Sequence, residues 1–429
     1  MKTTPLSFLG MNNRANDTGL PMPDKLNPFG KFRNAVNVDF DNSGAICFPR
    51  IGSTLACAGT ACHSWYEFDH DLGFGFFVDG ISLKRLNRDD TATVLQTVSA
   101  GPMSFCRVSD AIYFSNGVDT GIYVNGTIKP WGIQTPQTQP YASATNLGGM
   151  YGGDYRVAIT WLTEISPDHY QESGTFESTQ VTVADGGGIH LTAFPTPPSY
   201  VDLVAVYVSG VNGGSDNPDS TGEGLYLYDE YPANVSDVTI RYNVGTVNLD
   251  TQFGYKPQPK LGLTLHYGRI YWPDGNYVYF TEAQHYGLQR VNSYYRFEEA
   301  VTNVVSTPGA LYVTTGKAIY KLFGIDGETP AGNVKVKTYG APEGSVYYDD
   351  NDNFALVVTD NGFAIFTAEG VKELSAEHIA FPTFEKGSVA IVEHLGTRRA
   401  IAVMQGGTVS RLQHADYTAS DIARGGTGL

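Results

Sequence analysis

A short pattern of strand, tight turn and strand recurs along this chain. Its copies run over residues 75–83, 111–124, 269–280, 310–320, 354–366 and 400–409. Most of them turn at Asp-Gly, Asn-Gly, Thr-Gly or Gly-Gly, with apolar and aromatic residues alternating on either side. Such dipeptides between alternating apolar residues are the strongest local signal for a β-hairpin. The chain is therefore predicted to be built largely from hairpins.

The hairpins are regularly spaced. The copies at Gly75 and Ala111 begin 36 residues apart, and the last four copies begin 41, 44 and 46 residues apart. A period of about 40–50 residues with several strands in each unit is typical of a β-propeller, whose blades bury their faces against neighbouring blades. No window of about twelve residues keeps a helical apolar period. We predict an all-β fold containing a β-propeller of five or six blades, and a group of unrelated hairpins is the alternative.

One step of the repeat is much longer than the others. From Ala111 to Arg269 the chain runs 158 residues, which is about 110 more than one repeat needs. Polar linkers at 134–140 and 255–260 bound this segment, and the strands expected between them cover 155–162, 178–183, 188–192, 201–208, 224–228 and 238–242. Short alternating strands in this number predict an inserted β-sandwich, and their order is similar to that of a fibronectin type III module.

These boundaries divide the chain into five predicted parts. They are an extended N-terminal arm (1–33), the first part of the propeller (34–140), the inserted sandwich (141–258), the second part of the propeller (259–414) and a flexible C-terminal tail (415–429).

The inserted segment carries most of the negative charge. The formal net charge of the chain is −16, and residues 151–258 hold 3 Lys and Arg against 14 Asp and Glu. Phosphate binding needs clustered Lys and Arg, so we predict that the chain does not grip nucleic acid. Solubility is the simplest use of the charge.

Three short motifs resemble metal or phosphate sites but are incomplete. Cys57 and Cys62-His63 lack the second ligand pair that zinc needs. Residues 349–353, Asp-Asp-Asn-Asp-Asn, begin like a calcium loop but lack its Gly and distal Glu. Residues 185–188, Asp-Gly-Gly-Gly, lack the Lys and the helix of a phosphate-binding loop. We predict reduced thiols, two hairpin turns, no metal and no cofactor.

The sequence contains no catalytic motif. Asp69 and Asp71 flank His70, and Glu298 adjoins Glu299, but neither pair lies in a glycosidase motif. The Ser-x-Asp-x-Gly-x-x-Trp box of sialidase propellers is absent, and the nine histidines are scattered singly. We predict that the chain is not an enzyme. A virion hydrolase in which two carboxylates meet in a central pocket is one alternative.

The N-terminal residues do not have the form of a signal peptide. The apolar patch from Pro5 to Met11 is too short for one. No run approaches the roughly 18 apolar residues of a membrane helix. We expect the protein to be synthesised in the cytoplasm.

The stretch Arg33–Thr54, RNAVNVDFDNSGAICFPRIGST, resembles the N-terminal signature of virion proteins from short-tailed bacteriophages. That signature has an Asn-x-x-x-Asp element, a Gly turn and an Arg-x-Gly exit. The residues near those places here are Asn37, Asp39, Gly44 and Arg50-Ile-Gly52. Asn37 and Asp39 are closer together than that spacing. The preceding residues 10–21, GMNNRANDTGLP, are also typical of the family.

Two later stretches agree with the resemblance. Leu265–Tyr271, followed by Val278–Glu282, is similar to a segment that these proteins share, in which Gly-Arg precedes apolar and aromatic residues. Pro308–Gly324 is similar to the propeller strand pair that comes after it. The three stretches appear in the same order as in the family.

Resemblance to the nozzle, or tail hub, of these phages implies a propeller protein that assembles as a hexameric ring below the portal. The implied partners are other copies of the chain, the head-to-tail adaptor, tail fibre, spike or needle proteins and, at the tail tip, the host envelope. Genomic double-stranded DNA would pass through the lumen without specific binding, because subunits of charge −16 repel it. The implied location is the virion tail.

We predict that the opening stretch helps to close the ring by pairing N-terminal with C-terminal strands. The residues proposed for this contact are Val36, Asn37, Val38, Asp39, Gly44 and Arg50. Strand alternation would place the two valines on one face and Asn37 with Asp39 on the other. The alternative function is a receptor- or glycan-binding tail-tip protein that uses exposed tyrosines and the sandwich.

Overall fold

The computed structural model describes residues 7–11, 29–32, 38–40, 47–49, 57–69, 74–167, 169–210, 224–242, 246–323, 332–348, 353–375, 384–394 and 397–405. All regular elements within these ranges are β-strands. Accordingly, no helix in the described ranges could cross a membrane. The predicted all-β class is confirmed.

Two small sheets come first in the chain. Strands β1 (Ser7–Met11) and β2 (Phe29–Phe32) pair in parallel. Strands β3 (Val38–Phe40) and β4 (Cys47–Pro49) pair antiparallel.

Two four-stranded antiparallel sheets follow. Sheet A comprises β5 (Cys62–Asp69), β6 (Phe74–Asp79), β7 (Ser82–Leu86) and β8 (Ala92–Thr97). Sheet B comprises β9 (Ser104–Val108), β10 (Ala111–Ser115), β11 (Thr120–Val124) and β12 (Thr127–Lys129). In both sheets the strands pair in chain order, and the predicted hairpin supplies the two central strands. Gly80, in the β6–β7 turn, has a φ of +64°, which glycine adopts without strain.

Eight strands of the inserted segment form two sheets. One sheet has the order β13 (Tyr141–Met150), β17 (Gly187–Thr192), β20 (Asp237–Ile240). The other has the order β15 (His169–Glu172), β14 (Gly153–Ser166), β18 (Leu203–Ser209), β19 (Leu225–Pro232), with β16 (Thr179–Val183) also paired to β14. Apolar residues of both sheets, among them Val157, Ile189 and Val206, share one core. Strands β13 and β15 were not predicted from the sequence.

Three more four-stranded antiparallel sheets continue the pattern of A and B. Sheet C comprises β21 (Thr264–His266), β22 (Arg269–Asp274), β23 (Tyr277–Phe280) and β24 (Tyr294–Arg296). Sheet D comprises β25 (Val301–Thr307), β26 (Ala310–Thr315), β27 (Ile319–Phe323) and β28 (Gly332–Lys337). Sheet E comprises β29 (Val346–Tyr348), β30 (Ala355–Thr359), β31 (Gly362–Phe366) and β32 (Val371–Glu373).

A final hairpin pairs β33 (Lys386–His394) with β34 (Thr397–Gln405). The hairpin predicted at 400–409 therefore begins inside β34, whose partner in the structure precedes it in the chain. Residues 406–409 lie outside the described residues, as does the tail predicted at 415–429.

The chain divides into two compact units, Cys57–Arg296 and residues 1–56 together with Phe297–Leu429. The first unit contains sheets A, B and C and the inserted segment. The second contains sheets D and E and the three two-stranded pairs.

Within the first unit, sheet B is buried on both faces. Ile112 and Phe114 pack with Phe76 of sheet A, whereas Tyr113, between them in the sequence, packs with Trp272 of sheet C. Successive residues of a strand point to opposite faces, so the alternating apolar run of β10 fills two cores at once. Strand β10 is buried along nearly its whole length because it lies between the cores that sheet B shares with sheets A and C.

Sheets B and C are neighbours although the inserted segment separates them in the chain. The Ser115 hydroxyl donates a hydrogen bond to the Pro259 carbonyl at 2.8 Å. The backbone N–H groups of Gly262 and Leu263 both donate to the Ser104 hydroxyl, at 3.1 and 2.9 Å. The chain thus leaves sheet B, forms the two sheets of the insertion and returns to contact sheet B again.

The second unit repeats this packing. Tyr312 of sheet D and Phe366 of sheet E share one apolar core, with ring centroids 5.2 Å apart. The opposite face of sheet E, including Leu356 and Val358, packs with Val389 of β33.

Candidate functional site

The structure places two of the six residues predicted for ring closure on a strand. Val38 and Asp39 lie on β3, opposite Pro49 and Phe48 of β4. Val36, Asn37, Gly44 and Arg50 lie outside the described residues. Their role in ring closure stays a prediction.

The segment that contains Cys57 and Cys62 is held by a carboxylate of sheet A. One oxygen of Asp79 accepts hydrogen bonds from the backbone N–H groups of Thr60 and Ala61, each at 3.0 Å, and the other lies 2.7 Å from Lys84 Nζ. The bond to Lys84, followed by those to the backbone, holds the pKa of Asp79 well below its usual range. Burial and the Asp79 charge raise the pKa of the Cys62 thiol. Throughout the described ranges, no three His, Cys, Asp or Glu side chains gather as a metal site requires.

The carboxylate pairs noted in the sequence have different surroundings. Glu299 forms a surface ion pair with Lys317 at 3.0 Å and accepts a hydrogen bond from the Thr315 hydroxyl. Its neighbour Glu298 is exposed. Of the other pair, Asp69 ends β5, whereas His70 and Asp71 lie outside the described residues, as do residues 349–352 of the calcium-like motif.

Asp185 and Gly186 of the run 185–188 form the turn between β16 and β17, as predicted, and Gly187 and Gly188 begin β17. Gly186 has a φ of +75°. The N–H of Gly187 donates back to the Ala184 carbonyl at 2.9 Å. These backbone groups close a turn and do not form an anion cradle.

A half-buried carboxyl group lies inside the insertion, on β15. One oxygen of Glu172 accepts hydrogen bonds from the Thr160 hydroxyl of β14 at 2.5 Å and from the Tyr207 hydroxyl of β18 at 2.7 Å. Nearby, His285 Nε2 lies 3.5 Å from a carboxylate oxygen of Asp250, and both of these side chains are largely exposed. The cluster links three strands of the insertion to the loop between β23 and β24 of sheet C.

Burial is the main influence on the titration of this cluster. It raises the pKa of Glu172, and the Asp250 charge adds to the rise, while the two hydroxyls and His285 oppose it. Burial and the adjacent Glu172 also raise the pKa of Tyr207. Because the Glu172 carboxyl serves as the acceptor that joins β14, β15 and β18, its geometry fits a structural link. No sequence motif marked it, since its partners are brought together only by strand pairing.

A second feature missed by the sequence analysis is an aromatic surface on sheet C. Register places Trp272, Tyr279 and Tyr294 side by side across three strands, and Asp274, Tyr277 and Arg296 side by side in the next row. Residues directly opposite in antiparallel strands, and those two apart in one strand, share a face. All six side chains therefore lie on one face of sheet C. We call the five outer residues, Asp274, Tyr277, Tyr279, Tyr294 and Arg296, the tyrosine face.

The three tyrosine rings of this face touch one another. Their centroids are 5.5 Å apart for Tyr277 and Tyr294, 5.8 Å for Tyr277 and Tyr279, and 6.0 Å for Tyr279 and Tyr294. Trp272, on the same face, is 1% exposed and packs against sheet B, whereas Tyr294 is 44% exposed. The inner part of the face is thus core, and the outer part is surface.

Comparison with known proteins identifies no family. No family model matches the sequence, and no curated protein matches it. A provisionally assigned 6-phosphogluconolactonase from Bacteroides uniformis is 13% identical with a TM-score of 0.31, over 85% of this chain and 94% of that one. A second one, from Bacteroides fragilis, is 11% identical with a TM-score of 0.29, over 80% and 88%. AztD from Citrobacter koseri is 12% identical with a TM-score of 0.26, over 80% and 90%. At these TM-scores the similarities carry no conclusion about activity.

Proposed function

We propose that this chain is a structural virion protein of a short-tailed phage, forming the nozzle or hub ring of the tail. The observation that carries the proposal is the order of three sequence stretches, 33–54, 265–282 and 308–324, which resemble that family. The partners proposed with it are further copies of the chain, the head-to-tail adaptor and tail fibre, spike or needle proteins. DNA would pass through the lumen of the ring.

The positions of these stretches support the proposal. Residues 265–282 supply strands β21 to β23 of sheet C, and residues 308–324 supply β26 and β27 of sheet D. The two stretches thus occupy sheets that are consecutive along the chain in one series of four-stranded sheets, where propeller strands would be expected. The series A to E supports a propeller in which each sheet is one blade.

We further propose that a sixth blade is formed by both ends of the chain. The hairpin β33–β34 has only two strands, and it packs Ala402 and Met404 toward sheet E while Ile401 and Val403 are 38% and 68% exposed. The hairpin β3–β4 also has two strands and belongs to the same compact unit. Joined edge to edge, the two hairpins would complete a four-stranded blade.

The insertion is proposed to be a fibronectin-III-like sandwich that projects from the propeller between the blades formed by sheets B and C. Its two sheets and their shared core support a sandwich. Because the segment 151–258 holds 3 Lys and Arg against 14 Asp and Glu, a ring of these domains would repel DNA wherever it faced the channel.

Cryo-electron microscopy of the particle fraction that contains this chain tests the function. The expected result is six copies in a ring around a DNA-sized channel beneath a connector. The map would also show whether the sixth blade contains residues 38–49. Copies at the outer tip of the tail or along its fibres would contradict the nozzle function.

A further inference from the structure

The tyrosine face has hydrogen-bonding groups that the protein itself does not use. Within the described residues, the hydroxyls of Tyr277, Tyr279 and Tyr294 make no hydrogen bond, and Asp274 and Arg296 make no ion pair. Asp274 lies close enough to Tyr279 for its charge, together with burial, to raise the pKa of that phenol. The three tyrosine rings therefore form one aromatic surface, and their hydroxyls, together with Asp274 and Arg296 beside them, have unused hydrogen-bond donors or acceptors.

This combination favours one class of ligand. A sugar ring has an apolar C–H surface that stacks on aromatic rings and hydroxyls around its rim that both donate and accept hydrogen bonds. On this face the tyrosine rings offer the stacking surface, Arg296 donates and Asp274 accepts. We propose that the tyrosine face is a binding site for an uncharged oligosaccharide.

Other occupants fit the face less well. An apolar protein segment would bury the three phenols, Asp274 and Arg296 without partners, and each unpaired polar group costs about 1–3 kcal/mol. A nucleic acid would meet one Arg, one Asp and a chain of net charge −16. One positive and one negative side chain balance each other, so an uncharged glycan suits the face better than an acidic one.

The reason that this surface exists lies in the packing of sheet C. Strand β22 buries Ile270 and Trp272 against sheet B. Beyond that contact the same face continues to Asp274 at the end of β22 and to Tyr294 and Arg296 on β24, and these three side chains are exposed. The aromatic side chains that continue the core outward thus become a platform at the surface.

The experiment uses the purified full chain on a printed array of bacterial surface oligosaccharides, both neutral and acidic. Saturable binding to neutral glycans is expected, and isothermal titration with the best of them gives the dissociation constant. Tyr294→Ala and Tyr277→Ala should each weaken binding about tenfold, because each removes a stacking ring and a hydroxyl. Tyr294→Phe keeps the ring and should lose less. Tyr141→Ala is the matched control, since Tyr141 is 66% exposed but lies on the insertion, and it should bind as the wild type does.

Each remaining outcome overturns the proposal. These outcomes are no saturable binding on the array, binding to acidic glycans alone, and binding that both alanine variants keep. A synthetic peptide of residues 19–30, GLPMPDKLNPFG, tests a proline-rich protein ligand instead. Binding of that peptide at the tyrosine face would reject the oligosaccharide in favour of a protein partner. The array measures binding by the isolated chain, so the absence of glycan binding would leave the nozzle proposal untouched. A tail position that contradicts the nozzle proposal would likewise leave the oligosaccharide site untouched.

Discussion

Replacing Trp131 by alanine should destabilise the larger compact unit by about 3–5 kcal/mol, the usual cost of removing a buried tryptophan. Trp131 lies where the chain leaves sheet B for the insertion, and it is 1% exposed. Its ring meets Tyr113 of sheet B at 5.0 Å edge-on and Trp272 of sheet C at 6.5 Å. Its indole N–H donates to the Tyr286 carbonyl at 2.7 Å. One side chain thus joins sheet B, strand β22 of sheet C and the loop between β23 and β24 of sheet C.

The two parts of this cost can be measured separately. Trp131→Phe keeps an aromatic ring but loses the hydrogen bond, which is worth about 0.5–1.5 kcal/mol, together with a little packing. Trp131→Ala loses the hydrogen bond and most of the packing. Since domains are stable by only about 5–15 kcal/mol, the alanine variant should approach the unfolding threshold.

The assay is urea unfolding of the full chain followed by far-ultraviolet circular dichroism. Trp65→Ala is the matched control, because Trp65 is 56% exposed on sheet A, and it should lose less than about 1 kcal/mol. A loss below about 1 kcal/mol for Trp131→Ala would refute the packing of sheets B and C across the insertion. A loss for Trp131→Phe as large as that for the alanine variant would instead assign the whole effect to the hydrogen bond.

Three further predictions concern single residues. Burial raises the pKa of Glu172 in the folded protein, so the protonated carboxyl stabilises the fold at acidic pH, and this stabilisation is lost as the pH rises through the raised pKa. Glu172→Gln should therefore flatten the fall in melting temperature between pH 4 and pH 8. An unchanged slope would contradict this. A Cβ atom at Gly174 would lie 1.8 Å from the Gly254 carbonyl oxygen, so Gly174→Ala should lower stability by about 1–3 kcal/mol or more in urea unfolding. Gly149→Ala, whose Cβ would meet nothing nearer than 3.9 Å, is the control, and equal losses in both variants would count against the close approach. The pKa of Asp79 is lowered in the folded protein, so the ionised carboxylate stabilises the fold at neutral pH, and this stabilisation disappears as the pH falls through the lowered pKa. Asp79→Asn should therefore melt at a lower temperature than the wild type at pH 7, and the two melting temperatures should converge in acid. Equal melting temperatures at pH 7 would show that the Asp79 hydrogen bonds do not stabilise the protein.

Most of the strand content could be predicted from local sequence. Five of the six predicted hairpins form the two central strands of a four-stranded sheet, and a turn dipeptide marks each of the five. Turn signals succeed there because the conformation of a two-residue turn is decided by its own residues. The central strands are also the most deeply buried, so their apolar alternation is the strongest.

The missed strands lack that local signal. The strand β13, Tyr141–Met150, contains two glycines, an asparagine and two alanines, and it is mostly exposed. It forms because β17 offers a partner edge, and β15 forms in the same way beside β14. Propensity within a strand cannot reveal an edge that is supplied by another part of the chain.

The sequence by itself determined the alternation of strands and turns in this protein, its interrupted repeat and its acidic insertion, because each depends on residues that are neighbours in the chain. Only the tertiary structure decided which side chains meet. It brought Glu172 to Thr160 and Tyr207, Trp131 to the loop between β23 and β24, and three tyrosines to one outer face. These contacts depend on the register of paired strands and on which sheet covers which face, and a shift of one residue would send every side chain to the other face.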